Sequence, residues 1–493
     1  MIIIVLEKND PPPSFLLVPL FWNASTGFHF FREWYRILWE QNTSIIHQIV
    51  RELLYIFLIL SILFDLIGAK MKKTSIFFAV LIAIVLTLSA CTGGKVMKSS
   101  LERDLSPDIS ESSLEQLVAG NNTFAFDLYH AMLEGDANQV YSPYSISLAF
   151  AMTYAGARGD TASQMADVLG YTLSDNDLHS AFNQLDLDLA ARPDQVDVSD
   201  DERFELSIAN ALWGQEDYQF LPEFLDLLAT RYGAGMRLVD FQGNPAQARK
   251  LINNWVSDQT QKRIKDIIPA GLPDPLTRLA LVNAIYFNAT WEYQFEPNDT
   301  RQGIFYLLDG GQSTVDMMGM EDGENFSYAA GEGWQAIALP YKGGLAEMVI
   351  ILPDVGNFET FDASLSAEVY DSVLTSLAPT LVYLDMPKFT FEASYGLSDA
   401  LVDLGMTDAF DLDLADFSGM DGSRLLYIGD ALHKAFIAVD EKGTEAAAAT
   451  IVLMAMSAMP LEGIHLTIDH PFFFVIRDVP TNTILFMGRV LNP

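Results

Sequence analysis

Residues 440–450 read Asp-Glu-Lys-Gly-Thr-Glu-Ala-Ala-Ala-Ala-Thr. The stretch is small-sided and free of Pro, and an apolar run, Ile451 to Met459, follows it up to Pro460. A buried helix would carry large side chains on one face, and a loop tip would carry Gly, Pro, Asn or Asp. This segment does neither. With a period of two, Thr444, Ala446, Ala448 and Thr450 fall on one side. All four are small enough to slide between two strands and face a packed core. Glu445 points the other way and stays wet. Such a segment is suited to be a loop in one state and a central strand in another.

Other stretches agree with it. Upstream lie Ser142-Pro143-Tyr144-Ser145-Ile146-Ser147, then Gly156-Ala157-Arg158-Gly159-Asp160-Thr161 with Gln164-Met165. Ile252-Asn253-Asn254-Trp255-Val256 follows, then Asn283-Ala284-Ile285-Tyr286-Phe287-Asn288-Ala289-Thr290-Trp291 with Phe295 and Thr300. Downstream is Leu466-Thr467-Ile468-Asp469-His470-Pro471-Phe472-Phe473-Phe474-Val475-Ile476. These blocks, in this order, resemble those of the serpin family, from roughly Ser110 to Pro493.

The resemblance implies an α+β fold: three β-sheets surrounded by eight to nine helices, with an exposed reactive-centre loop. It implies a hinge of Glu441, Gly443, Thr444, Glu445, Ala446, Ala447, Ala448, Ala449 and Thr450. Counting onward by the family's usual spacing places the reactive bond at Ser457–Ala458. A register one residue shorter cuts Met456–Ser457. No Lys or Arg lies between Leu453 and Met459. An elastase-, chymotrypsin- or subtilisin-like serine protease therefore suits the bait better than a trypsin-like one. By position, Ser142, Ser145, Asn283 and His433 match the family's shutter, a polar cluster under the main sheet. Trp291 and Lys388 match its breach, where the loop begins to insert. Lys388 is placed to pair with Glu441, worth about 0–1 kcal/mol as a surface pair.

The implied activity is suicide inhibition of a serine protease by a monomer with no catalytic residue and no cofactor. Two other readings stand beside it. A non-inhibitory serpin-fold binding or chaperone protein would carry bulky, charged or Pro residues in the hinge, and this chain does not. A hydrolase would pair Ser145 with His433, yet no Gly-x-Ser-x-Gly elbow surrounds either Ser142 or Ser145. Buried hydroxyls and imidazoles more often hydrogen-bond one another and strand backbones.

Of the 493 residues, 29 are Lys or Arg and 65 are Asp or Glu, a formal charge of -36. Beyond position 90 the balance is 22 against 59, or -37, so the acidity belongs to the folded body. That argues against nucleic acid and heparin-like chains as partners, since both need basic patches. Cys91 is the one cysteine. It makes no intrachain disulfide and is too little for a thiolate metal site. The seven histidines show no His-Glu-x-x-His spacing, so no metal is expected.

Met71-Lys72-Lys73 is a basic start, Ile76 to Leu88 is an apolar run of 13 residues, and Leu88-Ser89-Ala90-Cys91 follows. This resembles a bacterial-type lipoprotein signal over 71–90, with Cys91 as the lipidated mature N-terminus. A plain secretory signal is the alternative, and the run is short for a transmembrane helix. Residues 91–109 read as a polar tether and 110–493 as the serpin domain. The expected place is extracytoplasmic, lipid-anchored or secreted. Residues 1–70 hold a Pro run at 11–13 and an apolar run broken by Asp65. They read as an upstream artefact, with translation starting at Met71; the other reading is a membrane segment near 53–67.

Periodicity predicts helices over Asn121–Met132, from Ser142-Pro143 through Tyr154, and over Ala246–Gln261. It predicts strands over Ala209–Trp213, Leu279–Phe287, Ala346–Leu352 and Leu381–Phe391. A final strand pair turns at Val479-Pro480-Thr481-Asn482.

Overall fold

The computed structural model describes residues 95–133, 135–196, 198, 205–444 and 462–493. The expectations for residues 1–90, for Cys91, for the hinge from Glu445 to Thr450, and for Met456, Ser457 and Ala458 lie outside them.

Helix α1, Glu111–Ala131, starts where the Ser110 side chain accepts the Ser113 N–H. It begins ten residues before the predicted Asn121: Leu114, Leu117 and Val118 already stand at helical spacing, and Leu117 and Val118 are buried. Helix α2, Pro143–Tyr154, is capped by Ser142 with Pro143 at its first turn, and is buried on all sides. Then come α3 (Gly159–Leu169), α4 (Asp175–Ala191), α5 (Pro222–Tyr232) and α6 (Pro245–Gln259). Helices α7 (Phe358–Ser364), α8 (Ala367–Ser376) and the short α9 (Ser398–Asp403) and α10 (Ser418–Asp421) complete the described set.

Numbering strands in chain order, the main sheet runs β1 (Lys95–Met97), β4 (Met236–Val239), β3 (Glu205–Gln215), β5 (Leu279–Thr290), β14 (Gly443–Thr444), β13 (Asp430–Val439), β12 (Phe389–Gly396). The second runs β2 (Gln139–Tyr141), β17 (Ile484–Val490), β16 (Phe472–Asp478), β10 (Ala346–Pro353), β9 (Trp334–Pro340), β8 (Glu324–Gly331), β11 (Ala378–Pro387), β7 (Gln312–Gly319), β6 (Arg301–Tyr306). β15 (Ile464–Thr467) pairs with β11 in parallel. Two of the three expected sheets are continuous through β11. Its first half pairs with β8, and its second half with β7 and β15.

The predicted single strand Leu381–Phe391 is two strands in two sheets. Pro387 has no N–H to donate, and the Lys388 N–H still bonds β7, donating to the Asp316 carbonyl 2.8 Å away. The chain leaves one sheet at Pro387 and joins the other at Phe389. The predicted tether is also corrected. Its described part, from Lys95, belongs to the folded body. β1 extends the main sheet beside β4, and Arg103 binds Asn183 and Asp186 on α4. Polar composition hid this, because backbone pairing and charge join Met97 and Ile109, which pack against the core, in making the attachment.

Helix α2 is wedged between the sheets, against β3 and β5 on one side and β17 on the other. Helix α6 covers the far face of the main sheet: Ala248, Ile252 and Val256 bury against Ala209, Ala211, Ala280, Val282 and Ala284.

Candidate functional site at the opening of the main sheet

β5 and β13 pair in parallel from Ala280↔Asp430 to Ile285↔Ala435. Near their far ends something stands between them. Gly443 pairs with Thr290, and Thr444 pairs with both Ala289 and Val439. The main sheet is thus parted at one end, and the first two strand residues of the expected hinge are already in the gap. The turn that places them is local. Asp440 donates its N–H to the Gly443 carbonyl and accepts the Lys442 N–H with its carboxylate, both at 2.9 Å. Gly443 is required by close approach: a Cβ there would meet the Ala289 carbonyl oxygen at 1.9 Å.

Thr444 is 2% exposed, on the inward side that the period of two predicts. Its hydroxyl bonds the Tyr341 hydroxyl at 2.7 Å. Tyr341 stacks on Trp291 with centroids 4.5 Å apart. The Trp291 indole N–H donates to the Asp440 carbonyl at 3.1 Å, and its backbone N–H to the Lys442 carbonyl at 2.7 Å. Lys388 reaches Glu441 at 2.7 Å, and the Thr300 hydroxyl donates to the other carboxylate oxygen at 2.8 Å. The Glu441 side chain is 12% exposed, so this is a half-buried pair rather than the surface pair foreseen. Burial pushes its carboxyl up, but the Lys388 and Thr300 bonds outweigh that and hold it below the usual range.

Beside the closed part of the sheet, Ser142, Ser145, Asn283 and His433 come together. The Ser142 N–H donates to His433 Nε2 at 3.1 Å, so the proton sits on Nδ1, which bonds Asn283 Oδ1. The Asn283 amide donates to Ser145 Oγ and to Asn210 Oδ1. Asn210 in turn donates to the Ser145 carbonyl at 3.0 Å. The network thus reaches from α2 to β3, β5 and β13. His433 is buried, and desolvation pushes its pKa down to about 3. A second proton would set Nε2–H against the Ser142 N–H. Neither ring nitrogen is bonded to a serine hydroxyl, so the Ser145–His433 hydrolase reading has no geometric basis.

Asn210 was missed from sequence. Its signal is a lone amide inside Ala209-Asn210-Ala211-Leu212-Trp213. Tyr341 gave no sequence signal, since only the stack with Trp291 and the bond to Thr444 single it out. Among the described residues no cluster of His, Cys, Asp and Glu could hold a metal.

The family model for serpin (serine protease inhibitor) matches residues 119–493. The chain belongs to the serpin family. An uncharacterised serpin-like protein of Thermococcus kodakarensis is 42% identical over 388 residues, 78% of this serpin and 88% of that protein. Leukocyte elastase inhibitor A of Rattus norvegicus is 38% identical over 393 residues, 77% of this chain and 100% of the relative. The crystal structure of a thermophilic serpin, tengpin, in the native state superposes with a TM-score of 0.70 at 30% identity, covering 81% of this serpin and 100% of tengpin. Members of the family are mostly protease inhibitors rather than catalysts, and the inhibitor class extends to this chain at that level.

Proposed function

We propose that this serpin is a suicide inhibitor of elastase-, chymotrypsin- or subtilisin-like serine proteases. One observation carries the reading: the main sheet is parted between β5 and β13, with Gly443 and Thr444 seated in the gap. The protease attacks the exposed loop as a substrate and forms an acyl-enzyme. Cleavage frees the loop, which continues the strand begun at Gly443; such insertion is a described serpin mode. About 15 residues at ~3.3 Å each would carry the tethered protease on the order of 50 Å. The dragged serine leaves its histidine and oxyanion hole, so deacylation stalls. Ladder hydrogen bonds and burial of small inward residues drive the step, which makes the native state a kinetic trap. The shutter network bridges strands that must part, and the Lys388–Glu441 pair holds the hinge turn until cleavage.

The test is gel electrophoresis after mixing with elastase, chymotrypsin or subtilisin. A detergent-stable covalent band is expected; simple cleavage would favour the non-inhibitory reading. Mass spectrometry of the released C-terminal peptide decides between the Ser457–Ala458 and Met456–Ser457 bonds. Leu88-Ser89-Ala90-Cys91 supports the further proposal of an extracytoplasmic protein of bacterial or archaeal type, anchored through lipid on Cys91. Labelled fatty acid should be incorporated by the parent and not by Cys91→Ser.

A further inference from the structure

The body carries 22 Lys and Arg against 59 Asp and Glu beyond position 90. Five of the 22 fall within seventeen residues: Arg249, Lys250, Lys262, Arg263 and Lys265. On a surface so rich in carboxylates a cation readily finds a partner, as Arg103, Arg231, Arg424 and Lys434 do. Arg249, Lys250, Lys262 and Lys265 form no ion pair among the described residues. Three of them, Arg249, Lys250 and Lys265, line one cleft of about 530 Å³.

Helix α6 forms one wall, presenting Arg249 and Lys250, then Asn254, then Ser257 on successive turns. The segment returning after the helix forms the other, with Lys265 and Asp266, the single carboxylate of the lining. The spacing of the walls is set. The Asn253 amide donates to the Ile268 carbonyl at 3.1 Å and accepts the Ile268 N–H at 2.9 Å. The cleft therefore has two walls fixed to each other, and its lining carries three cations, one anion and neutral donors.

We propose that this cleft binds a small, multiply charged oxyanion, such as a triphosphate group, and that the bound anion clamps α6 over the main sheet. The volume lies in the small-ligand range. Guanidinium and ammonium groups converging on one space match the charge-assisted bonding of phosphate oxygens. At physiological salt the screening length of about 8 Å isolates the cleft from the acidic surface around it. A long polyanion would run out of the cleft into that surface, so the fit is to a short one.

The regulatory half rests on the insertion reading above. The underside of α6 packs on β5, the strand that borders the gap. A strand growing along β5 has to disturb that packing. An anion tying α6 to its return segment resists the disturbance and slows insertion.

Calorimetry of the full chain with inorganic tripolyphosphate at 0.15 M salt tests the site. Saturable binding is expected, weakened at least tenfold in the double variant Lys250→Glu, Lys265→Glu, and unchanged in the remote Lys95→Glu. All three side chains are exposed, and melting curves check that each variant folds. No saturable heat, or equal weakening by Lys95→Glu, overturns the site. Saturating tripolyphosphate should also slow covalent complex formation with chymotrypsin at least threefold, in the parent but not in the double variant. An unchanged rate despite binding overturns the clamp. If no protease is trapped at all, the proposed function and the clamp fall together, while the calorimetry still decides the cleft.

Discussion

Thr444 shows how narrow the chemical demand is at one position. It is fully enclosed, pairs with strands on both sides and spends its hydroxyl on Tyr341. An arginine there would bury a charge with no partner. Thr444→Arg should convert the inhibitor into a substrate: the detergent-stable band with chymotrypsin disappears and cleaved chain replaces it. A variant that traps as well as the parent would contradict the insertion reading. Asn210 makes the same point for the shutter network. Asn210→Ala removes one of the two acceptors of the buried Asn283 amide and the side-chain donor to the Ser145 carbonyl. The loss should be about 1–3 kcal/mol, read as a lower melting temperature. Both effects are legible at residue level only once partners are known. Thr444 stood out in sequence as a small inward residue, but nothing in the chain around Asn210 announces that its neighbours will be Ser145 and Asn283.

At the scale of elements, the turn from β13 into β14 is the point from which the inserting strand would grow. Lys388, at the junction of β11 and β12, secures it by reaching Glu441. That junction lies inside the one strand predicted from sequence, although the buried phase shifts from Val382, Leu384 and Met386 to Phe389 across Pro387. Its existence depends on two sheets meeting at Pro387, and strand patterns do not say which sheet a strand joins. Lys388→Met leaves the half-buried Glu441 carboxylate with Thr300 alone, a loss of about 1–2 kcal/mol between the surface and buried limits. Cleavage after Glu441 by a glutamate-specific protease at pH 7 should be several-fold faster in this variant. Equal rates would show that the pair does not secure the turn.

For the whole molecule, two buried histidines link stability to pH. Desolvation pushes His433 down to about 3 and His179 down to about 4, from an ordinary 6.5. Their folded values lie below the unfolded one, so the unfolded chain takes up protons first as pH falls. The stability contribution is intact above pH 6.5 and is lost progressively down to pH 3–4. Each group should cost about 1.4 kcal/mol per pH unit in that window. The melting temperature should therefore fall between pH 7 and pH 5. In His179→Gln, which keeps a polar partner for Tyr232, the fall should shrink by about half. An unchanged fall would assign it to other groups, such as the acidic surface.

Alternation by itself set the inward side of the hinge at Thr444; the class of fold, the grouping of Ser142, Ser145, Asn283 and His433, and the pairing of Lys388 with Glu441 were implied by the motifs that resemble those of the serpin family. The first follows from small residues at period two, and the rest from motifs that stand in the family's order along the chain. Only the tertiary structure decided that Gly443 and Thr444 already occupy the gap, that Asn210 and Tyr341 complete the polar contacts, and that Lys95 onward joins the body. The physical reason is range. Turn chemistry and side-chain alternation act over a few residues. A strand's neighbours, a buried amide's partners and the cations lining one cleft are set by segments far apart in the chain, which only packing brings within bonding distance.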